Sequence, residues 1–204
     1  VLAWAFVLMK SPRLLLLALL ACGLGRAQGT NLSGNLTVDN VFTVYISTSD
    51  NVTGTLVSLT SGGSWWQDPG NFTTALTPNV VNYLHVVAID AGAPEAFIGS
   101  FTLSGTGFSF VNGTQLLLTA PAEFQMSLTG FGSSYLTPAS LGLNGIGPWG
   151  AFPSINPNAQ WLDFPASNTA YFSAQIVPVP EPSTDAALTG LAALGLAAYC
   201  KRRR

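Results

Sequence analysis

The sequence predicts an all-β protein: a single β-sandwich or jelly-roll domain flanked by an N-terminal signal-peptide helix and a short C-terminal transmembrane helix. Three observations lead to this prediction. Short stretches that alternate apolar and polar residues recur at intervals of roughly ten residues, with glycine and proline at the turns. Leucine- and alanine-rich runs, each next to basic residues, lie at the two ends of the 204-residue chain. Between those ends, no segment shows a helical period with capping residues.

The predicted strands are short and follow one another through the middle of the chain. Residues 36–46 alternate apolar and polar side chains on either side of Asp39 and Asn40, which predicts a strand. The β-branched segment Asn82–Ile89 predicts a strand inside a sheet. Residues 142–158 are rich in glycine, proline and asparagine and predict a long loop. The remaining predicted strands are Thr55–Leu59, Ala96–Leu103, 108–111, 115–119, 124–128, 161–164 and 171–177.

Charged residues separate a domain from two basic ends. All lysines and arginines lie outside residues 28–177: Lys10, Arg13, Arg26, Lys201, Arg202, Arg203 and Arg204. The acids inside that range are Asp39, Asp50, Asp68, Asp90, Glu95, Glu123 and Asp163. Because the binding of phosphate groups depends on lysine and arginine, the composition argues against a nucleic-acid or nucleotide partner. Neither cysteine lies in the domain, so no disulfide frames it.

Residues 178–204 combine three features of a membrane sorting segment. The prolines at its start keep the backbone extended. Residues 186–200 have no charge and suit a helix in an apolar medium. At ~1.5 Å per residue this helix reaches about 22 Å, short of a ~30 Å hydrocarbon core, so we expect a weak and temporary anchor. The basic cluster that stops transfer is Lys201, Arg202, Arg203 and Arg204.

The same segment resembles a known sorting signal. Pro180, Glu181 and Pro182, followed by a short apolar helix and an arginine run, resemble the PEP-CTERM signal of exported bacterial proteins. The resemblance implies that an exosortase, a membrane protease-transpeptidase, recognises the tripeptide and removes the tail. It implies transient anchoring in the inner membrane, followed by release to the cell surface or the extracellular matrix. Asp185 departs from the pattern, but a carboxylate can cap the start of a helix.

The N-terminal end predicts a signal peptide over residues 1–27. A basic region and an apolar run precede Ala27, and we expect signal peptidase to cut between Ala27 and Gln28 after Sec-dependent export. Residues 1–8 look like upstream sequence, because Met9 is the more natural start. The alternative is a lipoprotein, since residues 19–22 resemble a lipoprotein box with Cys22 as the anchor. The predicted domains are therefore 1–27, 28–177 and 178–204.

The order of pieces in the middle region resembles galactose-binding-like jelly-roll domains. The pieces are residues 36–46, a tryptophan loop, the strand Asn82–Ile89 and a late Gln160 and Trp161. The resemblance implies a sugar ligand and, in some members, a structural calcium ion. At the ends of strands, Asp39, Asn40 and Asp90 are the calcium candidates, although no loop has the spacing of a known calcium motif.

Tryptophans in loops are the candidate sugar-binding residues. Trp65, Trp66 and Trp149 lie in predicted loops, and an aromatic face can stack on the apolar face of a pyranose. The alternative for each of them is packing within the protein. Trp161, which lies in a predicted strand, is expected in the core.

No catalytic residue is predicted. His85 is the single histidine and lies in the middle of a strand, and no Gly-x-Ser-x-Gly elbow accompanies it or Asp90. One histidine without a cysteine leaves too few ligands for zinc. The sequence therefore predicts a non-enzymatic surface or matrix protein that binds extracellular polysaccharide. The alternative is a secreted glycan-active enzyme, for which Glu95 and Glu123 would supply the carboxylate pair.

Overall fold

Two antiparallel β-sheets pack face to face in the computed structural model of this chain, which confirms the predicted all-β sandwich. The structure describes residues 29–60, 66–90, 92, 94–147, 149–164, 169–180 and 190. Residues Gly29–Val179 form one unit. The predicted signal peptide and, apart from Gly190, the predicted C-terminal helix lie outside the described residues. Among the residues that are described, no helix has the length and apolar composition needed to cross a membrane.

Twelve strands build the two sheets. In chain order they are β1 (Asn31–Asp39), β2 (Val41–Ser47), β3 (Thr55–Leu59), β4 (Gly70–Ala75), β5 (Asn82–Ile89), β6 (Ala96–Leu103), β7 (Phe108–Phe110), β8 (Leu116–Leu118), β9 (Gln125–Ser127), β10 (Ala139–Leu143), β11 (Gln160–Asp163) and β12 (Thr169–Pro178), all within the described ranges. Sheet 1 has the order β10-β11-β6-β1-β4, with β8 also paired to β6. Sheet 2 has the order β3-β2-β5-β12-β7, with β9 also paired to β12.

The core lies between the inner faces of the two sheets. Phe97, on β6 of sheet 1, is fully buried, and its ring lies 4.9 Å from that of Phe172 on β12 of sheet 2. The ring of Phe124 meets Phe97 edge-on at 5.5 Å. Phe101 lies 5.9 Å from Phe124 and completes the group. These rings bury large apolar areas and join the sheets across their middle.

The strand predicted over residues 36–46 is wrong in one respect, because the chain changes sheets within it. β1 belongs to sheet 1 and β2 to sheet 2, with Asn40 between them. Leu36 and Val38 are buried, and the alternation resumes in the same phase at Phe42. Even-numbered side chains thus face the core on both sides of the crossing, and the sequence pattern shows no interruption.

Edge strands account for the other differences. β4 and β10 form the two edges of sheet 1 and were not predicted as strands. Both are largely exposed, and Phe72 is the one buried large apolar side chain of β4. Edge strands alternate weakly, because they contact the core less. The predicted bounds of β3, β5 and β6 are confirmed. β12 is longer than the predicted 171–177 at both ends, beginning at Thr169 and ending at Pro178, which lies opposite Phe108.

Candidate functional site

A groove lies on the outer face of sheet 2. Strands β5 and β12 pair at the centre of that sheet, with Tyr83 opposite Gln175 and His85 opposite Ser173. Because side chains alternate along a strand, these residues point away from the core that Leu84 helps to form. The sheet 2 groove has a volume of about 390 Å³. Its polar lining consists of Asp50, Tyr83, Asn112, Glu123, Gln125, Ser173 and Gln175.

Asp50 holds one wall of the groove in place. It lies in the turn between β2 and β3, and its Oδ1 accepts hydrogen bonds from Ser173 Oγ at 2.7 Å and Tyr135 Oη at 2.8 Å. His85 Nε2 lies 3.4 Å from the same oxygen. A single carboxylate oxygen thus connects the β2–β3 turn, β5, β12 and the loop that contains Tyr135. The Asp50 side chain remains 29% exposed.

His85 is fully buried beneath a loop. The ring of Phe131 stacks on the imidazole at a centroid distance of 3.9 Å and an angle of 8°. His85 Nδ1 lies 3.2 Å from the carbonyl oxygen of Thr53. Burial lowers the pKa of His85, because the effect of burial is larger than the opposing effects of the contacts with Thr53 and Asp50. The histidine therefore adds no cation to this face near neutral pH.

The polar residues around Asp50 do not form a nucleophilic triad. Ser173 Oγ donates its hydrogen bond to Asp50, and His85 also contacts Asp50. In a serine triad the histidine stands between the hydroxyl and the carboxylate, whereas in this cluster the carboxylate stands between the other two groups. The partner of His85 is Asp50, not the Asp90 considered from the sequence.

Two side chains of the groove retain unused hydrogen-bonding capacity. Within the described residues, the carboxylate of Glu123 and the amide of Gln125 make no hydrogen bond. Gln125 is exposed and Glu123 is half-buried. Gln175 Nε2 donates a long hydrogen bond of 3.4 Å to Tyr83 Oη. The groove thus offers amide and carboxylate groups together with the phenol ring of Tyr83.

A second cluster, the tryptophan cluster, covers the outer face of sheet 1. It consists of Trp66, Trp149, Phe152 and Trp161. Trp149 lies 4.4 Å from Trp161 and 6.0 Å from Trp66. Trp161 is fully buried, as the sequence predicted. Gly147 packs against this indole so closely that a β-carbon at position 147 would clash with the ring. Trp66 and Trp149 are half-buried, so they take part in packing, and sugar stacking on them stays a prediction.

Trp65 lies outside the described residues. The calcium candidates are close to the tryptophan cluster. The Asn40 side-chain amide donates a hydrogen bond to Asp39 Oδ1, and the nearby Trp149 side chain lowers the pKa of Asp39. Burial, and then the charges of Asp90 and Glu95, raise the pKa of Asp39 to about 6. The described part of the chain contains no group of three His, Cys, Asp or Glu residues that could hold a metal ion. Calcium binding by Asp39, Asn40 and Asp90 stays a prediction.

The raised pKa of Asp39 predicts a specific pH dependence of stability. The folded state binds the Asp39 proton more tightly than the unfolded state does. The contribution of this proton to the free energy of unfolding is therefore complete below pH 3.8 and is lost as the pH rises through about 6. We expect Asp39→Asn, which cannot ionise and keeps the shape of the side chain, to be about 1–3 kcal/mol more stable than wild type near pH 7.5. The two proteins should converge near pH 4, as measured by urea unfolding at a series of pH values.

Asp68→Asn is the matched control, because Asp68 is exposed in the connection between β3 and β4. Its pH profile should run parallel to that of wild type. If the Asp39→Asn profile also runs parallel to wild type across this range, the assigned coupling of Asp39 to its surroundings is wrong.

The predicted carboxylate pair is not assembled at one site. Glu95 precedes β6 of sheet 1, and its charge raises the pKa of Asp39. Glu123 precedes β9 and lines the sheet 2 groove. The carboxylate that shares the groove with Glu123 is Asp50. Sequence reasoning did not find Asp50, Tyr83, Gln125 or Gln175 as site residues. A usable signal was the polar character of the odd-numbered residues Tyr83 and His85 on β5 and Ser173 and Gln175 on β12.

Comparison with known families identifies one segment of the chain. Residues 178–204 match the PEP-CTERM protein-sorting motif, which confirms the resemblance found in the sequence. The motif is that of exported proteins that an exosortase processes after Sec export and that the C-terminal segment anchors transiently in the membrane. No curated protein and no solved structure shows significant similarity to the chain.

Proposed function

We propose that this chain, an exported protein with a PEP-CTERM sorting motif, places a non-enzymatic β-sandwich at the bacterial cell surface or in the extracellular matrix, where it binds polysaccharide in the sheet 2 groove. The main support is the composition of that groove. It combines the ring of Tyr83 with the amides of Gln125 and Gln175. A ring can stack on a sugar face, and amides can donate to and accept from neighbouring hydroxyls.

The rigidity of the groove supports binding. Asp50 fixes the wall through Ser173 and Tyr135, so the lining is ordered before a ligand arrives. The same contacts argue against hydrolysis that uses Ser173 as nucleophile or His85 as base. Ser173 donates to a carboxylate, and His85 is sealed beneath Phe131, so neither has the arrangement of an activated nucleophile or an accessible base.

The role of Tyr83 can be tested with the full-length chain purified in detergent. We expect at least one member of a polysaccharide panel (a neutral β-glucan, chitin and chitosan oligomers, and alginate) to bind saturably in calorimetry. Tyr83→Ala should lower that affinity about two- to tenfold, because a stacked ring contributes roughly 0.5–1.5 kcal/mol. Tyr45→Ala is the matched control, since Tyr45 lies on the same outer face of sheet 2, in register with His85, but does not line the groove.

If Tyr83→Ala leaves binding unchanged, the binding site lies outside the groove, and Trp149→Ala is the next variant to measure. Failure of every panel member to bind would contradict the polysaccharide role.

A second candidate function has one observation in its favour. Asp50 and Glu123 both line the groove, and glycoside hydrolysis requires two carboxyl groups in one cleft. A glycan-active enzyme would release shorter products from the bound polysaccharide, and Glu123→Gln would abolish that release. Chromatography of the panel after long incubation distinguishes the two functions.

A further inference from the structure

The sheet 2 groove has an unbalanced charge. Asp50 and Glu123 line it, and residues 28–177 contain no lysine or arginine that could neutralise them. The one histidine of the chain is buried beneath Phe131, and burial lowers its pKa. A carboxylate that lines a protein groove without a cationic partner favours a ligand that supplies the positive charge.

The two carboxylates are positioned differently. Asp50 uses Oδ1 for three protein contacts, which fixes the side chain while 29% of its surface stays exposed. The Glu123 carboxylate makes no hydrogen bond with the described residues and is half-buried at the groove. Tyr83 presents a ring in the same groove, and a cation can lie against the face of such a ring. One carboxylate is thus held in place by the protein and the other is available to bind.

We infer that the groove selects a polysaccharide with free amino groups, in which the ammonium of a hexosamine unit pairs with Glu123 beside the ring of Tyr83. This inference rests on the proposed polysaccharide function and specifies its ligand. Acidic polysaccharides are disfavoured, because they bring like charge to Asp50 and Glu123. Neutral polysaccharides keep the stacking and the amide contacts but lose the charge-assisted hydrogen bond.

Two oligomers of equal length test the inference: a fully deacetylated glucosamine oligomer and its N-acetylated counterpart. They share the sugar ring and differ at the nitrogen, which is a charged ammonium in the first and a neutral acetamide in the second. With the full-length chain in low salt, at a pH that keeps the amines protonated, we expect the deacetylated oligomer to bind about tenfold more tightly. Glu123→Gln keeps the shape of the side chain and should reduce that preference to about threefold or less.

Glu95→Gln is the matched control, since Glu95 lies beside sheet 1, outside the groove. It should keep the full preference for the deacetylated oligomer. If Glu95→Gln reduces the preference as much as Glu123→Gln does, the attraction is a diffuse effect of the acidic domain and the inference is wrong.

The two levels of the proposal fail differently. Equal binding of both oligomers, with both weakened by Tyr83→Ala, would overturn the amine preference and leave the polysaccharide function in place. Absence of binding to both oligomers and to the whole panel would overturn the proposed function as well.

Discussion

Phe97→Ala is expected to lower the free energy of unfolding by about 3–5 kcal/mol, because it removes a fully buried ring from the core between the two sheets. Phe97 contacts Phe172 on the opposite sheet, Phe124 just before β9, and Phe101 on its own strand. Removal therefore leaves a cavity between the sheets and deprives three other rings of a partner. Since domains of this size have total stabilities of about 5–15 kcal/mol, much of the protein should be unfolded at moderate urea concentrations.

Ile146→Ala is the matched control, because Ile146 is 77% exposed in the loop after β10. Its free energy of unfolding should stay within about 0.5 kcal/mol of wild type. A Phe97→Ala protein that unfolds at the wild-type urea concentration would show that the aromatic group does not join the sheets.

Triple replacement of Pro180, Glu181 and Pro182 by alanine is expected to block maturation almost completely. We predict that the exosortase recognises this tripeptide within the matched sorting motif, so the variant should keep Arg204 and accumulate in the membrane fraction. Mass spectrometry of the C-terminus and fractionation of cells measure the two consequences separately. Val179→Ala is the matched control, because Val179 is an exposed neighbour outside the tripeptide.

Recovery of the wild-type protein from living cells with Arg204 still attached would contradict this assignment. Membrane retention that survives deletion of residues 178–204, and that Cys22→Ala abolishes, would instead establish the lipoprotein alternative.

Local patterns in the sequence were sufficient for the central strands. Asn82–Ile89 and Ala96–Leu103 contact neighbours on both sides and bury one or both faces, so their composition determines their bounds. The crossing between sheets at Asn40 could not be found in this way, because the period of two keeps its phase from Val38 to Phe42. Periodicity reports which face is buried, but it does not report which sheet contains the strand.

The groove was harder to predict than the fold, because its residues are distant in sequence. Asp50 is 85 residues from Tyr135 and 123 residues from Ser173, yet all three meet at one oxygen. The outward direction of Tyr83 follows from strand alternation. The turn that contains Asp50 and the loop that contains Phe131 and Tyr135 leave no periodic signal in the sequence. The tryptophans that the structure describes, Trp66, Trp149 and Trp161, take part in packing.

The place of β12 in sheet 2 has a consequence for when the protein can fold. This strand pairs with β5, β7 and β9 near the middle of the sheet, although it is the last strand before the sorting motif. Contacts of such long sequence separation form slowly, since a large loop must close first. Sheet 2 can therefore be completed only after the chain has been translocated as far as Pro178. We expect transient anchoring by the C-terminal segment to give β12 time to pair while the chain is still held at the membrane.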